Sequence, residues 1–350
     1  MKRRQLLQPL SSVTGGIIAA RLLSGCQTMT EEPLFALHPQ QLNQPLPEHL
    51  VIPVGEFYVQ SYAQPPQLTG EQWQLEITGA VQNPLRLTLS DILQAAQEEF
   101  YLTLECIGDA TGGDQIGNAL WRGTSVLPFL QEARVQPEAV EWVLHGADSY
   151  ETTLPIADVL RPDVRLVHQM NGQPLTPAHG YPVRILIPGR YGQKQPKWLV
   201  KMEAITRSKQ GYWERQGWSN RAEIPTHAMT RQIQTQRVWN RQTTASLKPS
   251  GESGWRQGVL IAGIALDRAL PIQTVMVSTD GGQTWHQARQ NQPPTPHEWT
   301  LWQYRWQPQQ PGHHTIMACA ITQRETQPIE DPDRRDGSSG VLKIQVMLER

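Results

Sequence analysis

The stretch best equipped for chemistry is Leu104-Glu105-Cys106-Ile107-Gly108-Asp109, followed by Gly117-Asn118-Ala119-Leu120-Trp121-Arg122-Gly123. A short apolar segment ends in a thiol and then enters a glycine-rich loop. A thiolate is a soft ligand for a transition metal, and glycines let the backbone approach a bound group closely. Taken alone, a thiol in such a loop fits an inert side chain as well as a ligand. Cys319, in Ile316-Met317-Ala318-Cys319-Ala320-Ile321, alternates into a strand and reads as a small packed hydrophobe. Three cysteines leave no disulfide framework to infer.

The elements that must position these residues fall into two patterns. From about Val51 to Tyr212, short apolar segments alternate with helical ones. Trp73–Ile77 alternates like a half-buried strand, and Leu89–Ala96 opens a helix with Ser90 as the expected N-cap. Leu102–Cys106, Val140–Leu144, Leu166–Gln169 and Val183–Ile187 read as strands, and Val126–Leu130 as helix. From about Gln234 strand signals dominate: Val259–Ala265, Val275–Ser278, Trp299–Trp306, His313–Thr322 and Val341–Leu348. Thr279-Asp280-Gly281-Gly282 is a hairpin signal. Some seven short strands predict an immunoglobulin-like β-sandwich. Residues 213–235, rich in Arg and Gln, read as the crossover, and the charge cluster Asp331–Asp336 as a solvated loop.

Size and charge set the limits. The 350 residues suit roughly two domains of about 150 residues. Thirty-one Lys and Arg against 32 Asp and Glu argue against nucleic-acid binding, which needs a basic surface. Twelve Trp against 4 Phe supply the large apolar anchors that a 38% hydrophobic content otherwise lacks.

The amino terminus reads as an address and an anchor. Arg3-Arg4-Gln5-Leu6-Leu7 resembles a twin-arginine export signal, and Leu23-Ser24-Gly25-Cys26 resembles a lipobox in which Cys26 is lipidated. A generic basic signal and an incidental thiol are the plainer alternatives. The expected organisation is a signal over 1–26, a tether or packed arm over 27–50, a catalytic domain over 51–233 and the sandwich over 234–350. The expected location is periplasmic or extracytoplasmic, membrane-anchored through Cys26.

Several motifs, in order, resemble the sulfite oxidase family. They are the Cys106 stretch, Met170-Asn171-Gly172-Gln173-Pro174-Leu175, His179-Gly180-Tyr181-Pro182-Val183-Arg184, Ile187-Pro188-Gly189-Arg190-Tyr191-Gly192 with Lys197-Trp198-Leu199, and Ser278–Trp285. The resemblance implies an α+β molybdopterin-binding domain followed by an immunoglobulin-like dimerisation domain, and hence a homodimer. It implies molybdenum and molybdopterin as cofactors, with Cys106 the protein's sulfur on the metal and Trp121 a catalytic-pocket wall. It also implies cofactor contacts from Phe57, Tyr58, Gln60, Asp148, His179, Arg184, Gln195, Pro196 and Lys197. Arg184 can fork onto an anionic group, which Lys does less well. The residue types alone also permit a turn-capping His179, a loop Asp148 and a surface Lys197.

The chain departs from the family where sulfite would be held. Thr111, five residues after Cys106, stands where those enzymes have Arg; Gln60 stands for a second Arg and Trp218 for a Tyr. Arg122, Arg190 and Arg215 are the candidates to compensate. The expected activity is therefore two-electron oxo transfer on a small substrate other than sulfite. Sulfite oxidation proper and a catalytically silent anchored scaffold are the alternatives. With no Cys-x-x-Cys-His motif, electrons pass to or from a separate carrier, a c-type cytochrome or a quinone-linked protein.

Overall fold

The computed structural model describes residues 45–238, 243–248, 255, 258–331 and 334–349. The twin-arginine motif, Cys26 and the arm up to residue 44 lie outside them. Two of the four sheets come from residues 74–205. One has the spatial order β2 (Leu85–Thr88), β1 (Gln74–Gly79), β10 (Leu199–Ile205), β5 (Glu141–Gly146), β6 (Glu151–Pro155). The other runs β3 (Glu98–Glu105), β4 (Ile116–Ser125), β7 (Arg165–Met170), β8 (Gln173–Pro174), with β9 (Arg184–Leu186) also on β7. Period-two alternation drives the first sheet: Leu75 and Ile77 of β1 and Met202 and Ala204 of β10 turn into one core with Trp142 and Leu144 of β5.

The helices are short: α1 (Leu89–Gln94), α2 (Leu127–Ala133), α3 (Ile156–Val159) and α4 (Tyr212–Arg215). The described residues are thus sheet-rich with few helices, so the helical part of the α+β expectation is small. The reason is that most of the helical signals last only one or two turns before Pro, Gly or a polar break. The cap of α1 is Thr88 rather than Ser90. Its hydroxyl accepts from Asp91 N, while the Asp91 carboxylate accepts from Thr88 N, a reciprocal capping box. No helix among the described residues is long and apolar enough to cross a membrane.

The remaining strands form two more five-stranded sheets. One is β12 (Gln236–Arg237), β11 (His227–Ile233), β14 (Val259–Leu266), β18 (Thr300–Trp306), β17 (Arg289–Gln290). Its companion is β13 (Thr244–Leu247), β20 (Ile344–Leu348), β19 (Gly312–Ile321), β15 (Thr274–Ser278), β16 (His286–Gln287). Val259, Ile261 and Trp302 of the first share a core with Val275, Ile316, Ala318 and Val346 of the second. β11 pairs antiparallel with β14, so His227–Ile233 belongs to these sheets and not, as a 233/234 boundary would have it, to the preceding domain. The segment 213–235 therefore holds a strand as well as a connection. Cys319 is buried on β19, as alternation predicts, and burial pushes its thiol up to about 11.

Two contacts join the halves around the Cys106 loop. One apolar cluster contains Leu102, Leu104, Ile116 and Trp121 from the first half and Met229, Leu260, Ile264 and Trp299 from the second. The described end of the arm is packed and extended: Leu50 O accepts from Asn118 Nδ2 at 3.0 Å and from Trp299 Nε1 at 3.1 Å. The 330–340 segment is not merely solvated. The Asp331 carboxylate accepts from the Ser338 hydroxyl and from the backbone N–H groups of Ser339 and Gly340, closing a tight loop.

Candidate active site

Cys106 follows directly on β3, and its backbone N–H donates to Gln115 O at 2.9 Å, just before β4. The chain between them is a closed loop. Asp109 N donates to Cys106 O at 3.0 Å, and Asp109 Oδ2 accepts from Gln115 N at 2.8 Å. The Asp109 carboxylate packs against Gly113, where an added Cβ would lie 1.6 Å from Asp109 Oδ1 and would have to displace it. Arg231, reaching across from β11, donates to Gly113 O. The loop is thus held by hydrogen bonds within itself and by one guanidinium from the second half.

Electrostatics around the thiol favour its protonated form in the absence of a metal. Burial raises the Cys106 pKa first, and the Asp109 and Glu105 carboxylates push the same way. Burial together with Glu105 pushes Asp109 up to about 6. A metal would displace the thiol proton, and binding there is coupled to deprotonation.

Beside the loop lies a cavity of about 230 Å³ that Cys106 lines. All ten of the residues expected at the cofactor from the sequence meet on it: Phe57, Tyr58, Gln60, Cys106, Asp148, His179, Arg184, Gln195, Pro196 and Lys197. Arg184 is buried on β9. Its two terminal nitrogens donate to His179 O and Gln195 O, both at 3.3 Å, and its Nε has no partner. Burial lowers its pKa to about 10. Lys197 donates to Ser61 Oγ and, at 2.9 Å, to Ala178 O, with its ammonium 4.7 Å from the Trp198 ring centre. Burial, then the charge of Arg184, lowers it to about 7. Asp148 accepts from Tyr150 N at 3.1 Å, and burial raises its pKa.

His179 closes a 3-10 turn and has Nε2 3.0 Å from Val54 O. Burial, with help from Arg184 and Lys197, lowers its pKa and favours the neutral ring. The Gln195 side chain holds backbone, Oε1 accepting from Ile187 N at 2.9 Å; its carbonyl is what receives Arg184.

Buried Arg184, with its orphaned Nε, and half-buried Lys197 have no carboxylate salt bridge among the described residues and want an anionic ligand. A polar ring system carrying a phosphate meets that demand, and the thiol beside it supplies a soft metal ligand. The donor set therefore fits a molybdopterin: Arg184 and Lys197 would hold its anionic groups, Tyr58 and His179 would line its pocket, and Cys106 would supply a soft ligand to its metal.

Four sequence expectations move. Trp121 does not line the cavity. It lies on β4 with no exposed surface; its indole N–H donates to Leu102 O at 3.0 Å, and the Arg184 guanidinium sits 5.6 Å from its ring centre. The register of β4 turns it into the core behind Arg184, so it backs that side chain and is not part of the cavity lining. Thr111 is buried and points to Ser338, 3.5 Å away. None of the proposed compensating arginines reaches the cavity: Arg122 faces Glu99, Arg190 pairs with Asp158 and Glu223, and Arg215 with Glu151. The wall is completed instead by residues not expected there, chiefly Gln115, Tyr150, Gln193 and Trp213, with Trp218 beside them. Tyr150 donates to Gln193 O at 2.6 Å. A tyrosine two residues past Asp148 and a Trp opening Trp213-Glu214-Arg215 were visible in the sequence, but nothing local shows which way they face.

Comparison with known proteins agrees with this chemistry. Residues 62–213 match the family described as oxidoreductase molybdopterin binding domain. The chain is 32% identical over 152 residues to "Uncharacterized oxidoreductase YuiH" of Bacillus subtilis (strain 168), covering 43% of this chain and 75% of that one. It is 27% identical over 297 residues to the mitochondrial sulfite oxidase of Drosophila melanogaster, covering 74% of this chain and 51% of that protein. The chain thus spans about half the length of that sulfite oxidase. Among solved structures, the sulfane dehydrogenase SoxCD from Paracoccus pantotrophus shares the fold at a TM-score of 0.68 with 20% identity, over 98% of this chain and 97% of that one. With a half-buried thiol, a buried guanidinium and these relatives in hand, the chain belongs to the molybdopterin-binding oxidoreductases of the sulfite oxidase family.

Proposed function

We propose that the enzyme carries out two-electron oxo transfer on a small, neutral S-oxide or N-oxide rather than on sulfite. One observation carries the reading. The cations lining the cavity are Arg184 and Lys197, among the expected cofactor contacts, whereas Gln60, Gln115, Trp213 and Trp218 add amides and aromatics to its wall. A buried dianion needs paired charged donors. A neutral oxide loses less on entering such a site, and its apolar groups gain contact with indole faces.

When bound, molybdenum supplies the two-electron redox change and the oxygen exchange. For reduction, one S-oxide, two electrons and two protons give one sulfide and one water. The chain's own residues hold the cofactor's anionic groups (Arg184, Lys197), keep the His179 ring neutral and wall the site from water. The electrons come from a separate carrier, a c-type cytochrome or quinone-linked protein. Sulfite oxidation proper is the second reading, supported by the likeness to sulfite oxidases.

The surrounding biology is part of the same proposal. The twin-arginine motif and Cys26 support export in folded form and a lipid anchor outside the cytoplasm. The 227–348 sheets support an immunoglobulin-like dimerisation module, and light scattering on a soluble form beginning at Gln27 would return twice the chain mass.

The test is a paired assay: sulfite with ferricyanide, beside dimethyl sulfoxide and trimethylamine N-oxide with a reduced dye. Turnover of an oxide with weak sulfite activity is expected. Sulfite turnover at tens per second, ordinary for an enzyme, would overturn the reading. Cys106→Ser is expected to abolish turnover on every substrate while leaving the folded state intact by circular dichroism.

A further inference from the structure

We propose that Gln60 and Gln115 form an amide clamp for the substrate oxygen, and so determine which substrates the site accepts. The proposal rests on the site reading above and deepens it.

Gln115 stands across the loop from Cys106. Its carbonyl accepts the Cys106 N–H at 2.9 Å, and its own N–H donates to Asp109 Oδ2 at 2.8 Å. Asp109 is in turn locked over Gly113, whose carbonyl Arg231 holds. The backbone of Gln115 is therefore fixed on both sides, and its side chain leaves from a fixed point next to Cys106. That side chain donates from Nε2 to Gln60 Oε1 at 3.3 Å, and both glutamines line the cavity.

The pair has a definite chemical character. Two primary amides carry four N–H donors and two carbonyls. The bond between them uses one donor and one carbonyl, so three N–H groups and one carbonyl remain, whichever way the amides are turned. The clamp offers several donors and no charge. An S=O or N–O oxygen is a strong acceptor that brings no net charge, which suits such a clamp. A sulfite dianion gains too little from neutral donors to offset its desolvation.

The apolar half of the substrate also has a place. A Cβ built on Gly108 would lie 3.6 Å from Trp218 Cη2 and 3.9 Å from Cys106 Sγ, so the indole reaches over the loop to the thiol's side. Oxygen toward the glutamines and carbon toward Trp218 is the pose the two surfaces select. Counting five residues from the ligand Cys pointed to Thr111, which faces Ser338 instead. The residue that faces the cavity is Gln115, because the loop turns back on itself at Asp109 before rejoining β4.

The experiment uses the holoenzymes Gln60→Met, Gln115→Met and the double variant, since Met keeps length and removes the amide. The hydrogen bond between the two amides is solvent-accessible, and losing one net hydrogen bond of about 0.5–1.5 kcal/mol shifts an equilibrium about two- to tenfold. KM for dimethyl sulfoxide and trimethylamine N-oxide is expected to rise by that factor in each single variant, with rates read per molybdenum bound. The double variant is expected to lie within about twofold of the worse single one, because losing either partner dismantles the pair. Calorimetric titration of the oxidised holoenzyme, without reductant, is expected to show the same rise in Kd, independent of turnover. Gln115→Arg is expected to tighten sulfite binding in the same titration at least tenfold. The clamp is overturned if KM and Kd stay within twofold of the parent in all three Met variants. If the parent oxidises sulfite and neither oxide, the proposed substrate class fails, and the clamp is then judged on sulfite: a raised Kd in the Met variants upholds it and an unchanged Kd rejects it.

Discussion

Lys197 is the residue whose environment makes the sharpest solution prediction. Its ordinary pKa of 10.5 falls to about 7 in the folded chain, from burial first and then from Arg184. Between these values the unfolded chain holds a proton that the folded chain does not, so stability rises with pH across that window. Cofactor-free protein is therefore expected to melt at higher temperature at pH 9 than at pH 7, and Lys197→Met is expected to flatten that slope. An identical slope in the variant would show that other groups carry the pH dependence. Binding of an anionic cofactor reverses the balance, drawing a proton back onto Lys197. Trp121 makes a second prediction. It sits behind Arg184 and carries the guanidinium on its face, an arrangement worth about 0.5–2 kcal/mol. Trp121→Phe is expected to weaken cofactor retention roughly tenfold, measured as molybdenum lost on dialysis, with the substrate KM of the molecules still loaded unchanged. A changed KM with full retention would return Trp121 to the pocket wall.

At the scale of elements, the Cys106 loop is the part most sensitive to a small change. Its closure depends on Asp109 lying against Gly113, with Gln115 held at the far end. An added methyl at Gly113 must push the carboxylate aside, and overpacking of this kind costs about 1–3 kcal/mol. Gly113→Ala is expected to lower the urea midpoint by that equivalent and to raise substrate KM, because Gln115 moves with Asp109. Equal stability of the two proteins would mean that the loop has room the packing denies. A different element, α1, illustrates how far local rules carry. The sequence marks the helix and places Ser90 at its start, yet Thr88 caps it, because Thr88 is the residue three positions before the Asp91 side chain that completes the box.

For the whole molecule, the shared cluster around Leu104, Trp121, Leu260 and Trp299 is decisive. Arg231 crosses from the second half to hold the Cys106 loop, so neither half is complete at the site without the other. Calorimetry on the cofactor-free chain is expected to show one cooperative unfolding transition rather than two. Two resolved transitions would indicate halves that fold independently.

Read by itself, the sequence determined where the soft ligand stands: Cys106 closes a strand before a loop. Arg184 and Lys197 were named through the resemblance of their segments to the family's motifs, and the fold brings all three to one cavity. Short apolar or alternating runs likewise located β1, β5, β7, β14 and β19 to within a few residues. What the tertiary structure alone decided is which way side chains face when the backbone turns between elements. Trp121 went to the core because β4 is one continuous strand in fixed register with β3. Thr111 went to Ser338 and Gln115 to the cavity because the loop is tied at Asp109. Arg122, Arg190 and Arg215 were drawn to carboxylates far away in sequence. Each outcome depends on a partner outside the local stretch, and no spacing rule within a segment contains that partner.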